Sequence, residues 1–431
     1  MIFFKKVTTQ ELIADKFLEI GDGYRAKNSE MAATGIPFIR AGDVDGAVRI
    51  SGADYLSDAS ARTAGRKRSL PGDVVITTKG TIGRLAFVHP NSPEFIYSPQ
   101  ICFWRSLDQS VIDSRWLFFA MQSPFMREQM EWSAAQTDMA PYISLLDQRT
   151  AFSLLLPPIK AQRSITSILG ALDDKIDLNR RTNETLEAMA RALFRDWFVD
   201  FGPTRAKMAG QAPYLAPEIW KLFPDKLDDE GKPEGWERES LDETATFLNG
   251  LALQKYPANG SAYLPAIKIA QLRSENTEAA DPVSPDLPPD YIVEQNDLLF
   301  SWSGSLLCKF WNGPRGALNQ HLFKVTSKRF SSWFIYECIQ YYMPEFQAIA
   351  AAKATTMGHI QRRHLTESLV TVPHSNTMQA ANAVIGNLHT QIQSNNGESQ
   401  TLAQIRDLLL PKLMSGEIRI RDAEKMVADA L

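Results

Sequence analysis

The sequence has 431 residues, enough for two or more domains, and its 46 Lys/Arg against 50 Asp/Glu give a formal net charge of −4. That balance excludes a chain that coats DNA or a lipid surface by overall charge. Hydrophobic residues make up 44 %, yet no apolar run reaches the roughly 18 residues of a membrane span, so no membrane partner is expected.

The N-terminal run shows no apolar stretch followed by a small-residue cleavage site, and the three scattered cysteines, Cys102, Cys308 and Cys338, suit a reducing compartment. A cytoplasmic protein is therefore expected. From Arg62 to Arg105 seven basic residues stand against two acids. Within this stretch Asp73 to Thr78 reads as a short strand entering a Gly-rich turn, Thr77-Thr-Lys-Gly-Thr-Ile-Gly-Arg84. Trp116 to Met130 has helical spacing.

From Ile165 the apolar positions step by 4 and 3 through Leu169, Leu172 and Ile176, reach Asn179 and Asn183, and resume at Leu186, Ala190, Leu193 and Trp197. This is a heptad seam with a polar centre, predicting a helix of about 35–40 residues. Asp173-Asp174 beside Lys175 reads as a solvated charge pair. Pro203 to Trp236, with five prolines and little periodicity, reads as a linker.

A second round follows. Asp297 to Trp302 reads as a strand entering Ser301-Trp-Ser-Gly-Ser305, Trp333 to Ala352 has helical spacing, and residues 298–363 carry eight basic residues against two acids. Ala381, Ile385, Leu388, Ile392, Asn395, Ser399, Leu402, Arg406, Leu409 and Leu413 repeat the seam, again with a polar centre. The helices match without a gap at an offset of 216, Ile168 falling on Val384 and Pro157 on Pro373. The globular parts match more loosely. Gly80 falls on Gly304 at an offset of 224, and Gln100 on Gln320 with Phe103 on Phe323 at 220. Such a repeat implies a pseudo-twofold α+β protein: two mixed α/β domains separated by two long helices that pair as an antiparallel coiled coil, polar centre on polar centre.

Strand-end glycine turns expose backbone N–H groups and hydroxyls that suit phosphate oxygens, although a plain turn has the same look. Lys79, Gly80, Arg84, Ser303 and Gly304 are candidates for that contact. Gln100 and Gln320 are candidates for bidentate bonding to adenine, or are structural. Arg62, Arg66, Lys67 and Arg68 form one basic cluster, and Arg362 and Arg363 beside His364 another; both suit backbone contact ahead of base readout, and a plain solvated face is the alternative for either basic segment. Trp302 is better placed in the core than as a wedge between bases. No phosphate-binding loop of the Gly-Lys-Ser/Thr kind appears, no Asn/Asp-Pro-Pro-Tyr/Phe run, and no metal-ligand spacing: His359 and His364 do not share a helix face. The chain is expected to be non-catalytic, with no cofactor and no metal of its own.

Leu193-Phe-Arg-Asp-Trp-Phe-Val-Asp-Phe-Gly-Pro203, Leu408-Leu-Leu-Pro-Lys-Leu-Met-Ser-Gly-Glu-Ile418, Pro233-Glu-Gly-Trp236 and Pro157-Pro-Ile-Lys-Ala-Gln162 together carry a resemblance. The chain resembles the specificity subunit of type I restriction-modification systems. The resemblance implies a first target recognition domain over 1–157, a first long helix over 158–200 and a linker over 201–232. It further implies a second recognition domain over 233–372, a second long helix over 373–415 and a C-terminal tail over 416–431. It implies binding to a two-part double-stranded DNA target, one recognition domain per part, and docking of two DNA methyltransferase subunits and of restriction subunits. S-adenosylmethionine and ATP chemistry would then belong to those partners. A coiled-coil scaffold with two protein-binding domains and no DNA role is the alternative.

Overall fold

The structure is a computed structural model that describes residues 4–136, 140–352 and 358–429. It divides into two compact units, the first made of residues 1–177 and 400–431 and the second of residues 178–399.

In the first unit, strand Lys5–Thr8 pairs antiparallel with Ser153–Leu156, so the globular part closes on itself immediately before the long helix. Thr8 and Glu11 then form a reciprocal cap on the helix Thr9–Ala14. The main sheet is antiparallel, in the order Leu18–Asp22, Ile101–Ser106, Val74–Thr77, Leu85–Phe87. A second four-stranded sheet includes the parallel pair Ile36–Ile39 and Ile96–Tyr97. The helical stretch expected from Trp116 to Met130 is two helices, Ser114–Gln122 and Pro124–Ala134. The break has a local cause: the Ser123 hydroxyl caps the second helix and Pro124 occupies its first turn, where a missing N–H costs nothing.

The second unit repeats this plan. Glu237–Ser240 pairs with Leu369–Val372, Ser240 and Glu243 form the cap, and the main sheet runs Thr246–Asn249, Leu322–Thr326, Leu298–Ser301, Cys308–Phe310. Its second sheet again contains one parallel pair, Leu264–Ile267 with Gly316–Leu318.

The strand registers correct one part of the expected repeat. Thr77 pairs with Ile101, and its equivalent Ser301 pairs with Leu322; Asp22 pairs with Cys102, and Asn249 with Phe323. The offset across this strand is therefore 221, so Gln100 corresponds to His321 rather than Gln320, and Phe323 to Cys102 rather than Phe103. A slip of one residue turns every side chain to the other sheet face. Accordingly Phe103 lies in a core with Val75 and Ile101, whereas Phe323 joins Leu298, Phe300 and Val325 on the opposite face.

The first long helix runs unbroken from Ile159–Phe198. The second is helical from Ser375 to Ser415, with a single π-helical turn at Asn382–Gly386. In the first unit Ile165, Leu169 and Leu172 share one core with Leu402, Leu409 and Leu413. In the second, Asn183 donates to Asn396 Oδ1 at 2.7 Å and accepts from Asn395 Nδ2 at 2.8 Å, while Asn179 donates to Glu398 and Ser399 at 2.8 and 3.2 Å. The numbers run in opposite directions, so the helices pair antiparallel through the expected polar centre. Because Asn183 is buried and satisfies both Asn396 and the buried Asn395, Asn183→Ala is expected to lower stability by about 1–3 kcal/mol in urea unfolding. An unchanged midpoint would mean that water replaces it at no cost.

Two further readings are corrected. Asp173 and Asp174 are not simply solvated. Arg406 lies 2.9 Å from Asp173, and Arg115 grips Asp174 through two bonds of 2.5 and 2.8 Å. Burial raises the Asp173 pKa against the pull of Arg406. The proline-rich segment after the first helix is folded, with helices Gly202–Met208 and Pro217–Trp220. Its Phe223 sits edge-on to Trp197 at 5.2 Å, in a buried group that includes Phe194, Phe198, Trp236 and Phe334. The aromatic run at the end of the first helix thus supplies apolar area that fastens the segment to the second unit.

Candidate nucleic-acid interface

Each main sheet ends in the same kind of turn. Beyond Thr77, the chain turns through Gly80 at φ +79°, and beyond Ser301 through Gly304 at φ +65°, values that favour glycine. The hydroxyl at the strand end braces both turns. Thr77 Oγ1 donates to Thr81 O and accepts from Arg84 N, and Ser301 Oγ donates to Ser305 O and accepts from Leu307 N. The neighbouring loop is also shared. A Cβ on Gly23 would stand 1.9 Å from Ser98 O, and one on Gly250 2.2 Å from Asn319 O, so only glycine lets these backbones meet.

The turns carry different chemistry. In the first unit Lys79 is exposed, bridges to Tyr142 and holds its ammonium 5.7 Å from that ring. Arg84 reaches Asp45 only at 3.9 Å. Gln100 is exposed, and its carbonyl accepts from Thr78 N and Oγ1 at 2.8 and 3.1 Å. In the second unit Ser303 is buried and bridges to His359. Trp302 packs partly against the core, with its Nε1 donating to Asn249 Oδ1 and Gln320 O at 2.9 and 3.2 Å. Arg362 donates to Phe247 O at 3.1 Å, with its guanidinium 5.9 Å from the Phe323 ring.

The structure therefore gathers Lys79, Gly80, Arg84 and Gln100 at one turn, and Ser303, Gly304 and Gln320 at the other. Arg362, on the helix Arg362–Glu367 after the Ser303–His359 bridge, lies near the second turn. It does not gather the first basic cluster as a free patch. Arg66 pairs with Glu19 at 3.4 Å, and Arg68 forks onto Glu94 at 2.6 and 2.7 Å. Lys67 binds Asp22 and the carbonyl of Gly23, both at 2.8 Å, which ties it to the loop beside the turn. Arg62 is exposed on the helix Asp58–Thr63, and Arg363 is exposed beside Arg362. His364 leaves the second cluster: it is buried, and its Nδ1 accepts from Gln361 N at the start of its helix. His321, His359, Asn249 and Tyr142 complete the turns and were missed. An offset of 221 would have placed His321 against Gln100, and one of 217 places His359 on Tyr142, the two residues that bridge to the turns.

Among the described residues no group of three His, Cys, Asp or Glu side chains suits a metal ion, and no helix is long and apolar enough to cross a membrane.

Residues 15–188 match the family described as the type I restriction modification DNA specificity domain. The chain is 26 % identical over 282 residues to the type I restriction enzyme MjaIX specificity subunit of Methanocaldococcus jannaschii, covering 62 % of this chain and 60 % of that protein. The match thus spans less than two thirds of that relative's length. Against the HindI specificity subunit of Haemophilus influenzae the identity is 23 % over 389 residues, 78 % of this chain and 84 % of that one. The crystal structure of a type I restriction-modification system S subunit from M. genitalium has the same fold, with a TM-score of 0.51 at 14 % identity over 96 % of both chains.

Proposed function

We propose that the chain, which matches the type I restriction modification DNA specificity family over residues 15–188 and resembles two specificity subunits along much of its length, reads a two-part double-stranded DNA target, each half through one of its two turn-bearing modules. In this reading it presents that target to two docked methyltransferase subunits and to restriction subunits in the cytoplasm, and these partners carry the S-adenosylmethionine and ATP chemistry. One observation supports it above all: the braced glycine turn occurs twice, on equivalent strands, with different side chains on each copy. A frame repeated with its outward groups changed is what two readers of different half-sites require. The three cysteines, free and buried, accord with a reducing compartment.

The ion pairs of Arg66, Lys67 and Arg68 bear on affinity. Phosphates would have to displace Glu19, Asp22 and Glu94, so these bases add little net attraction in the isolated chain. Lys79, which is exposed at the turn and faces no carboxylate among the described residues, is the stronger backbone contact. In the complex with its methyltransferase partners, Lys79→Ala is expected to weaken binding alike for all sequences. It should also reduce the slope of log affinity against log salt by about 1. Unchanged affinity and slope would remove the first turn from the DNA interface.

A further inference from the structure

In the second unit three side chains form a relay from the buried turn outward. Ser303 Oγ lies 2.9 Å from His321 Nδ1, and His321 Nε2 lies 3.4 Å from the side-chain amide nitrogen of Gln320. The backbone beneath is pinned. Gln320 N donates to Leu251 O at 2.8 Å, its carbonyl accepts from Trp302 Nε1 at 3.2 Å, and His321 N donates to Asn319 Oδ1 at 3.2 Å. The Trp302 ring flanks His321 with centroids 5.9 Å apart. A glutamine on an unbraced loop loses much rotamer freedom on binding, whereas this one already has its backbone and part of its amide engaged.

The hydrogen-bond bookkeeping gives the relay a direction. With the ring proton on Nδ1 and donated to Ser303 Oγ, His321 Nε2 accepts one amide proton of Gln320. The second amide proton and Oε1 then have no partner among the described residues and stand side by side, one donor and one acceptor. That pair is complementary to the N7 acceptor and N6 amino donor of adenine in the major groove. The opposite tautomer would turn the amide and direct Oε1 at the ring.

We propose that Ser303 and His321 are positioning residues that hold Gln320 to read an adenine in the half-site addressed by the second unit. The proposal rests on the reading of the chain as a DNA specificity subunit. The first unit has no such relay, since Lys79, Pro99 and Gln100 stand at the positions of Ser303, Gln320 and His321.

The test uses the full chain with its methyltransferase partners and duplexes of the target found by methylome sequencing. Each adenine is replaced in turn by 7-deazaadenine, which removes N7 alone. Wild type is expected to show one adenine, in the second unit's half, whose replacement costs about ten- to a hundredfold in affinity. Gln320→Ala abolishes that penalty. Ser303→Ala and His321→Ala reduce it, and Ser303→Thr, which keeps the hydroxyl, restores it. A merely structural role would weaken binding to both duplexes alike and leave their ratio unchanged. The proposal is overturned if the penalty survives in Ser303→Ala and His321→Ala, or if no adenine of that half shows one. A complex that methylates no two-part target overturns the specificity-subunit reading itself, and this inference with it.

Discussion

Arg105→Met is expected to destabilise the first unit by about 3–5 kcal/mol, because it strands a buried carboxylate. The Asp73 side chain is fully buried and Arg105 is 10 % exposed. Arg105 forks onto Asp73 through two bonds of 2.7 Å, and its second guanidinium nitrogen also donates to Arg68 O at 3.0 Å. Tyr97 and the Leu70 backbone N–H complete the carboxylate's partners at 2.6 and 2.8 Å. Burial works against the Arg105 charge, yet the bonds to Asp73 outweigh it and its pKa is raised; burial, then the Asp73 charge, holds the Tyr97 hydroxyl well above its usual range. Methionine fills similar volume but supplies no donor. Urea unfolding followed by tryptophan fluorescence reads this directly, since Trp104 and Trp116 are buried in the same unit. A loss below about 1 kcal/mol would mean that the pair is not the anchor it looks to be. Adding Asp73→Asn to Arg105→Met should recover part of the loss, since the stranded charge goes with it. The equivalent Asp297 is held differently, by Lys324 at 2.7 Å with both side chains partly exposed, so a smaller effect is expected there.

Much of this architecture was legible in the sequence because helical periodicity is local. Steps of 4 and 3 from Ile165 and from Ala381 mark the seams, and the matched Asn179, Asn183 and Asn395 mark the polar centre that the hydrogen bonds join. The strand-end turns were legible because Gly80 and Gly304 sit where positive φ is needed. What depends on distant partners was not. Arg66 lies 47 residues from Glu19, and nothing local tells that Arg66, Lys67 and Arg68 would be neutralised by acids distant in sequence. The fate of the proline-rich segment was hidden for the same reason: prolines erase periodicity, but burial of Phe223 and Trp236 depends on the aromatic residues of the preceding helix. Gln100 and Gln320 share a residue type but not a position beside the strand, and residue identity alone does not reveal the difference. Only the register shows that His321 takes the Gln100 position.

The largest functional effect is expected from exchange of the second module. The pairing of Glu237–Ser240 with Leu369–Val372 brings the module's two ends together, with Glu237 opposite Val372. Residues 237–372 can therefore be replaced through two adjacent junctions. Both lie outside Ile159–Phe198 and Asn387–Ser415, so the long helices keep their own residues. The first module closes in the same manner, with Lys5 opposite Leu156. The decisive measurement is methylome sequencing of cells that carry the methyltransferase partners with either the parent chain or one whose residues 237–372 come from a similar specificity subunit. Two modules that read independently predict that one half of the methylated sequence changes completely while the other half stays as it was. A change in both halves, or in neither, would contradict the account.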